Sequence, residues 1–342
     1  TFEAAKPGLV LPEAAPYTGR LHIRPIGIPA MVRREHPASY QMITKAIAGA
    51  FPEAAPGWHK GTAGAILIVG GSEGLTGAPH LAARAALRAG GGLISVAAPH
   101  GLCRDIKADC PDIMTRALGP AGNVRWSPAL LEELLPFLRQ CGAMALGPGI
   151  GREPETAAFV QALLMCPSRP SAVVDADALH ALAMHPEALS SLRACDVLTP
   201  HPGEAATLLH TTPALVQADR FAALAGLRRL APSVWILKGA GTLIGTEGQP
   251  VTIAPYAEPN LAVGGSGDVL SGCLGTLMAQ TAAHPSEGCE SSSFLAACMG
   301  VHLHARAGRL LREAFPQRGN SATDIAEMLP RARIREAAGD GT

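Results

Sequence analysis

Aromatic side chains are scarce in this chain, 4% of 342 residues, and charge is sparse and balanced, with 28 basic and 28 acidic residues. So few aromatics leave little for base stacking. Zero formal net charge, with few Lys/Arg clusters, gives no footprint for nucleic acid or a membrane surface. No CxxC pair occurs among Cys103, Cys110, Cys141, Cys166, Cys195, Cys273, Cys289 and Cys298, so no zinc site is expected. Scattered through apolar runs, they read as buried, reduced thiols of a cytosolic protein. No window of about 20 residues stays apolar without glycine breaks or charges, and no signal peptide opens the chain. The expectation is a soluble, cytoplasmic protein. The Gly-Lys-Ser/Thr of a P-loop is also missing, which removes the P-loop NTPases.

What the chain has in quantity is alanine and glycine, in short apolar runs separated by glycine-rich loops. Residues 1–40 stand apart. Pro7, Pro12, Pro16, Pro25, Pro29 and Pro37 punctuate them at a spacing that predicts no helix. They read as a tail or linker with room for two edge strands. Its Leu9, Val10, Leu11, Ile23 and Ile26 are expected to cover apolar surface of a main domain spanning 41–338, and no candidate catalytic group lies there. From residue 60 onward, Ala65–Val69, Leu93–Ala98, Ala143–Leu146, Ala172–Asp175, Asp196–Leu198 and Val234–Lys238 read as buried strands. Helical patterns separate them: one with Pro79 in its first turn and Gly90 near its end, then Pro128–Cys141, Glu153–Cys166 and Leu215–Leu230. Thr242–Ile244 and Val251–Ile253 suggest a hairpin, Ser291–Leu311 a long helix, and the chain after about Pro316 one more helix and a frayed end. The fold class is α/β: a mostly parallel central sheet covered by helices on both faces.

Ligands of open α/β sheets bind beyond the carboxyl ends of the strands. Five loops leave those ends: GGSEGLTG from Gly70, Gly147-Pro-Gly-Ile-Gly151, Asp175-Ala-Asp177, Thr199-Pro-His-Pro-Gly-Glu204 and Lys238-Gly-Ala-Gly-Thr242. A sixth motif, Gly264-Gly-Ser-Gly-Asp268, runs into a helix carrying Val269, Leu270, Leu274, Leu277 and Met278. Orphan N–H groups and the helix dipole favour an anion there, and Asp268 stands at its lip, placed for a base that deprotonates a hydroxyl attacking a phosphoryl group. Each piece also has a plain reading. Asp268 could be an ordinary N-cap, GGSEGLTG a simple βα turn, Asp175 and Asp177 helix caps, His201 structural and Lys238 solvated. His302 and His304 are two apart on a helix and do not share a face, so no metal pair is expected.

Taken together, GGSEGLTGA, GPGIG, DADAL, LTPHPGE, LKGAGT and LAVGGSGDVLSG resemble the NAD(P)H-hydrate dehydratase family, built on a ribokinase-like fold. The resemblance runs from roughly residue 40 to 310. Residues 1–29 resemble the end of the epimerase domain that precedes the dehydratase in bifunctional members. The resemblance implies repair of hydrated nicotinamide cofactor: the S-form of NADHX or NADPHX is dehydrated to NADH or NADPH. Asp268 would be the catalytic base. Ala78, Gly149, Gly151, His201 and Asp268 would contact the hydrated dinucleotide, and Lys238, Gly239, Ala240, Gly241, Thr242, Gly265, Ser266 and Gly267 the nucleotide. The phosphoryl donor is ADP or ATP, with the motif set resembling the ADP-using type, which releases AMP and phosphate. Mg²⁺ is expected to bridge phosphates, a homo-oligomer (a tetramer) is expected, and an epimerase domain or partner completes the system. Two rivals are a ribokinase-fold, ATP-dependent kinase of a small alcohol or vitamin precursor, which leaves its product phosphorylated, and a non-catalytic nucleotide-binding module.

Overall fold

The computed structural model describes residues 1–44, 47, 50–54, 56–283 and 292–334, and among these ten strands form a single sheet. They are β1 (Tyr40–Met42), β2 (Ala65–Val69), β3 (Leu93–Pro99), β4 (Met114–Leu118), β5 (Ala143–Leu146), β6 (Ser171–Val174), β7 (Val197–Leu198), β8 (Val234–Leu237), β9 (Leu243–Gly245) and β10 (Val251–Ile253). Their order is β1-β10-β9-β8-β7-β6-β5-β2-β3-β4. Only β9 runs against its neighbours, making with β10 the expected hairpin; the other pairs are parallel.

Parallel strands covered on both sides need apolar residues at every position, because successive side chains point to opposite faces. The strands show this directly. Ile66 and Ile68 of β2, with Ala143 and Ala145 of β5, join one core. Leu67 and Val69, with Met144 and Leu146, join the other. Helices Gly77–Arg88, Ser266–Ala283, Ser292–Ala314 and Ala322–Ala332 cover the first face. The second is covered by Leu131–Leu138, Pro154–Met165, Asp177–Met184, Pro202–Leu208 and Arg220–Leu230. Helix Ser266–Ala283 is buried almost throughout. It crosses Gly77–Arg88 so closely that a Cβ on Gly272 would collide with the Ala82 carbonyl oxygen. Two of its polar side chains are satisfied by backbone of other elements: Thr276 donates to Ala86 O at 2.9 Å, and Gln280 to Ala63 O and Gly90 O.

From β2 the chain winds outward through β3 to β4, then returns to β5 on the other side of β2 and winds away through β6, β7 and β8. The switch point therefore lies between β2 and β5, where crevices open in such sheets. The loops after these strands meet there: Gly71 N donates to Pro148 O at 3.0 Å, and Ser72 Oγ to Gly149 O at 2.9 Å.

Several expectations need correction. Residues 1–40 contain short helical turns, Pro7–Val10, Pro12–Ala14, Ala15–Thr18 and Ala30–Glu35. In the first three a proline occupies the first turn, where its missing N–H costs no hydrogen bond. Of this segment's apolar residues, Val10 and Leu11 pack on the core, but Ile23 and Ile26 are 41% and 59% exposed. The expected helix Leu215–Leu230 is two helices, Pro213–Ala218 and Arg220–Leu230. The break falls at Asp219, whose carboxylate accepts from Ala222 N and caps the second. Pro128–Cys141 is a 3-10 turn followed by Leu131–Leu138. Edge strand β4 escaped the sequence because Arg116 interrupts its pattern and most of it is only half-buried. Of the cysteines, Cys110, Cys273 and Cys298 are buried and four others half-buried. Cys289, Ser291 and the end of the chain after Ile334 lie outside the described residues.

Candidate active site

Asp175 directly follows β6, and Ala176 after it takes a left-handed backbone, φ 51°, ψ −125°. A non-glycine residue there is strained. The turn sends the two aspartates to different tasks. Asp177 accepts from Gly151 N at 3.2 Å and from Arg152 Nε at 2.6 Å, tying the GPGIG loop to helix Asp177–Met184. Asp175, 2% exposed, takes Lys238 Nζ at 2.6 Å on one oxygen and Ser271 Oγ at 2.6 Å on the other. Burial pushes the Asp175 carboxyl up, but Lys238 and the hydrogen bonds of Lys238, Ser271 and Thr199 outweigh it and hold it below its ordinary value. Burial pulls Lys238 the other way; Asp175, Glu204 and Asp268 outweigh it and keep the ammonium charged. This pair joins β6, β8 and helix Ser266–Ala283 at one point.

Above that point stands the glycine turn. Gly265 has φ +88°, and a Cβ on it would meet Leu81 Cδ1 at 2.6 Å. A Cβ on Gly267 would lie 3.6 Å from Lys238 Nζ, so bare backbone faces the ammonium. Asp268 lies in the helix's first turn, yet no described residue hydrogen-bonds its carboxylate. The plain N-cap reading therefore does not hold. Burial, then the charge of Asp175, raise its pKa to about 7 against the pull of Lys238. Glu204 is likewise pushed up to about 7 by burial, with its Oε2 3.7 Å from Lys238 Nζ.

His201 caps helix Pro202–Leu208: its Nδ1 accepts from Gly203 N and Glu204 N, while Glu204 accepts from His201 N. The structural reading is thus correct, and the ring also lines a cavity. Burial, then Lys238, lower its pKa, which favours the neutral imidazole. The cavity, about 780 Å³, is bounded by Lys238, Gly239, Ala240, Thr242, Ser266 and Gly267 at its polar end, with Leu261, Val263, Leu270, Val301 and Ala305 along its apolar walls. Such a volume suits a ligand of nucleotide size. His304, in its wall, bonds Ser266 Oγ through Nε2 at 3.1 Å, and burial lowers its pKa to about 4. His302 instead has its Nδ1 2.6 Å from the Tyr256 hydroxyl, so the two histidines serve different partners.

Of the candidate residues, His201, Lys238, Gly239, Ala240, Thr242, Ser266 and Gly267 line the cavity. Gly241 faces Pro12, and Gly265 packs on Leu81 and Ala322. Ala78, Gly149 and Gly151 form a second group at the switch point. A Cβ on Gly149 (φ +59°) would lie 3.0 Å from Ala78 Cβ. Asp177 links the groups, its charge reaching both Asp268 and Glu204. Sequence reasoning missed Glu204, Ser271 and His304. Glu204 had a signal, since it stands three residues after His201, the spacing of a capping box. Ser271 and His304 had none.

No group of three or more His, Cys, Asp or Glu among the described residues could hold a metal alone. The donor set still fits a Mg²⁺ carried by phosphates, which needs only one or two carboxylates.

A family model described as NAD(P)H-hydrate dehydratase matches residues 66–331. A bifunctional NAD(P)H-hydrate repair enzyme of Moorella thermoacetica is 40% identical over 333 residues, 96% of this chain and 61% of its own length. The chain therefore spans less than two thirds of that relative. A ribokinase-like superfamily protein of Enterococcus faecalis superposes with TM-score 0.71 at 21% identity, over 86% of this chain and 95% of its own. An ADP/ATP-dependent NAD(P)H-hydrate dehydratase of Bacillus subtilis, co-crystallised with ATP and Mg²⁺, does so with TM-score 0.66 at 22% identity, over 85% and 96%. At such identities the structures speak for the fold, which is ribokinase-like.

Proposed function

The chain belongs to the NAD(P)H-hydrate dehydratase family, and on that premise we propose that it dehydrates the S-form of NADHX or NADPHX at the cost of a nucleoside phosphate. ADP is the donor we favour, with AMP and phosphate released. Hydration leaves a hydroxyl on C6 of the nicotinamide ring and a hydrogen on C5, and the ring no longer donates hydride. Hydroxide leaves poorly. Once the C6 oxygen has attacked the terminal phosphorus and displaced AMP, the C6–O bond breaks with phosphate as leaving group. Loss of a proton from C5 then restores the double bond.

The observation that carries this reading is the unengaged carboxylate of Asp268, beside a glycine turn and Lys238. A carboxyl near pH 7 suits a base that takes the C6 hydroxyl proton. The N–H groups of Gly264–Gly267, at the positive end of a long helix, would receive the transferring phosphoryl group. Lys238, fixed by Asp175, adds a cation there. The nucleotide would occupy the cavity along Lys238–Thr242 and Gly265–Gly267, and the hydrate the side of Ala78, Gly149, Gly151 and His201. Mg²⁺, when bound, would be held by the phosphates with Glu204 as an available carboxylate, and would neutralise phosphate charge. An epimerase that supplies the S-form is the partner this reaction calls for.

Chemically hydrated NADH supplied with ADP, and separately with ATP, tests the reading. Return of absorbance in the reduced-nicotinamide band with release of phosphate is expected. A stable phosphorylated product would mark the kinase alternative, and no nucleotide turnover would mark a binding module.

A further inference from the structure

The loop Lys238–Thr242 passes through two glycines at positive φ, Gly239 (+135°) and Gly241 (+64°), a backbone with many alternatives unless held. It is held from below by Arg220, the 7%-exposed first residue of helix Arg220–Leu230. Its Nη2 donates to Leu237 O at 3.0 Å, to Lys238 O at 3.3 Å and to Gly241 O at 3.5 Å. Its Nη1 donates to Lys238 O at 3.3 Å and to Gln217 Oε1 at 2.8 Å. A Cβ on Gly239 would lie 2.9 Å from Nη1, so the guanidinium fills the space beneath the loop. The N-terminal segment packs on the same loop. A Cβ on Gly241 would lie 2.7 Å from Pro12 Cδ and 3.4 Å from Leu11 Cδ2. Glu13, next in the chain, places its charge near the same guanidinium.

We propose that Arg220 and the Leu11–Pro12 turn together clamp the Lys238–Thr242 loop, so that the N-terminal segment sets the affinity for the nucleoside phosphate. This rests on assigning the cavity to that nucleotide. A loop already fixed in its binding shape spares the ordering entropy that a free glycine loop would lose on binding. Arg220 is a positioning residue here: it touches loop carbonyls, not ligand. A lysine cannot replace it, because one ammonium cannot span three carbonyls as the planar guanidinium does.

The test uses the full chain with Arg220→Lys, with the double change Leu11→Ala and Pro12→Gly, and with Tyr17→Ser as control, since Tyr17 is 89% exposed. Amide exchange at residues 239–242 without ligand reads the clamp. Calorimetric titration with ADP and with ATP in Mg²⁺ buffer reads its consequence. The two clamp variants should exchange faster over these residues and bind nucleotide about threefold to tenfold more weakly, the scale of one net hydrogen bond. Their KM for the hydrate should be unchanged, and the control should match wild type in both readouts. Wild-type exchange in both clamp variants, or faster exchange with unaltered nucleotide affinity, overturns the inference. A wild-type chain that binds neither ADP nor ATP overturns the nucleotide reading itself, and the inference with it.

Discussion

Asp268 combines two properties that rarely coincide: a largely buried carboxylate and no hydrogen-bond partner among the described residues. Desolvation penalises its charged form, and the neighbouring Asp175 adds to the penalty. Replacing it by Asn should leave the fold and nucleotide binding intact and lower kcat by at least about 10²-fold, the lower end for loss of a general base. Single-turnover assays on hydrated NADH check this, and a variant keeping most of its kcat would remove Asp268 from the mechanism. The same perturbation sets a pH signature. As the base must be ionised, kcat/KM should rise with pH toward about 7. Glu204 is raised to a similar value. Glu204→Gln should therefore keep the ascending limb, whereas the residual activity of Asp268→Asn should lack it. The stability sign is the reverse. A carboxyl raised in the folded state binds its proton more tightly there than when unfolded. Its contribution is fully present below the ordinary aspartate value of 3.8 and is lost as pH rises through about 7. Asp268→Asn should accordingly raise Tm relative to wild type more at pH 8 than at pH 5, as calorimetry at the two pH values would show.

Among the elements, β7 is two residues long and cannot hold its place by pairing alone. The residue before it does so. Asp196 is fully buried and pairs with Arg169 Nη1 and Nη2 at 2.8 and 2.6 Å, while accepting from Ala172 N and Arg193 N. One carboxylate thus joins the start of β6 to the start of β7, and through them sets where Asp175 and Thr199 emerge at the other end. Asp196→Ala leaves a buried guanidinium unpaired, a loss that typically costs about 3–5 kcal/mol. Denaturant titration should show that drop, and a loss below about 1 kcal/mol would mean that the pair contributes little beyond its own desolvation.

At the scale of the whole molecule, the site is assembled from both halves of the sheet. The loops after β2 and β5 supply one side; those after β6, β7 and β8, with the Ser266 turn, supply the other. A ligand bridging them should stabilise the entire fold. ADP at about 100 times its Kd should add roughly 2.7 kcal/mol to the unfolding free energy. Thermal shift with ADP, ATP and AMP reads this, and a Tm indifferent to all three would place the nucleotide elsewhere. The N-terminal segment belongs to this assembly as well. The sequence reading left it outside the active machinery, but Leu11 and Pro12 reach the loop at Gly241. Removal of residues 1–30 is now expected to weaken nucleotide binding rather than leave the site untouched.

The sequence by itself determined the class of fold and the loops that meet at the candidate site. Strands buried on both faces must be apolar at every position, so β2, β3, β5, β6 and β8 were legible with errors of about one residue. Glycine-rich turns after them leave backbone uncovered, which a sequence shows directly. Asp268, Lys238 and His201 were legible for the same reason: each stands in a loop leaving a strand or entering a helix. Elements set by context were not. β4 is a half-buried edge with Arg116 in it, and the break at Asp219 depends on a cap competing with helix continuation. Only the tertiary structure decided which groups meet. Ser271 reaches Asp175 across 96 positions of sequence, His304 reaches Ser266 across 38, and Pro12 meets Gly241 from a segment whose prolines suggested only a linker. Such contacts leave no local pattern, because each residue is compatible with its own helix or turn whether or not the partner is there. What brings them together is the burial of two apolar faces of one sheet, and the polar contacts are fixed only once those faces are covered.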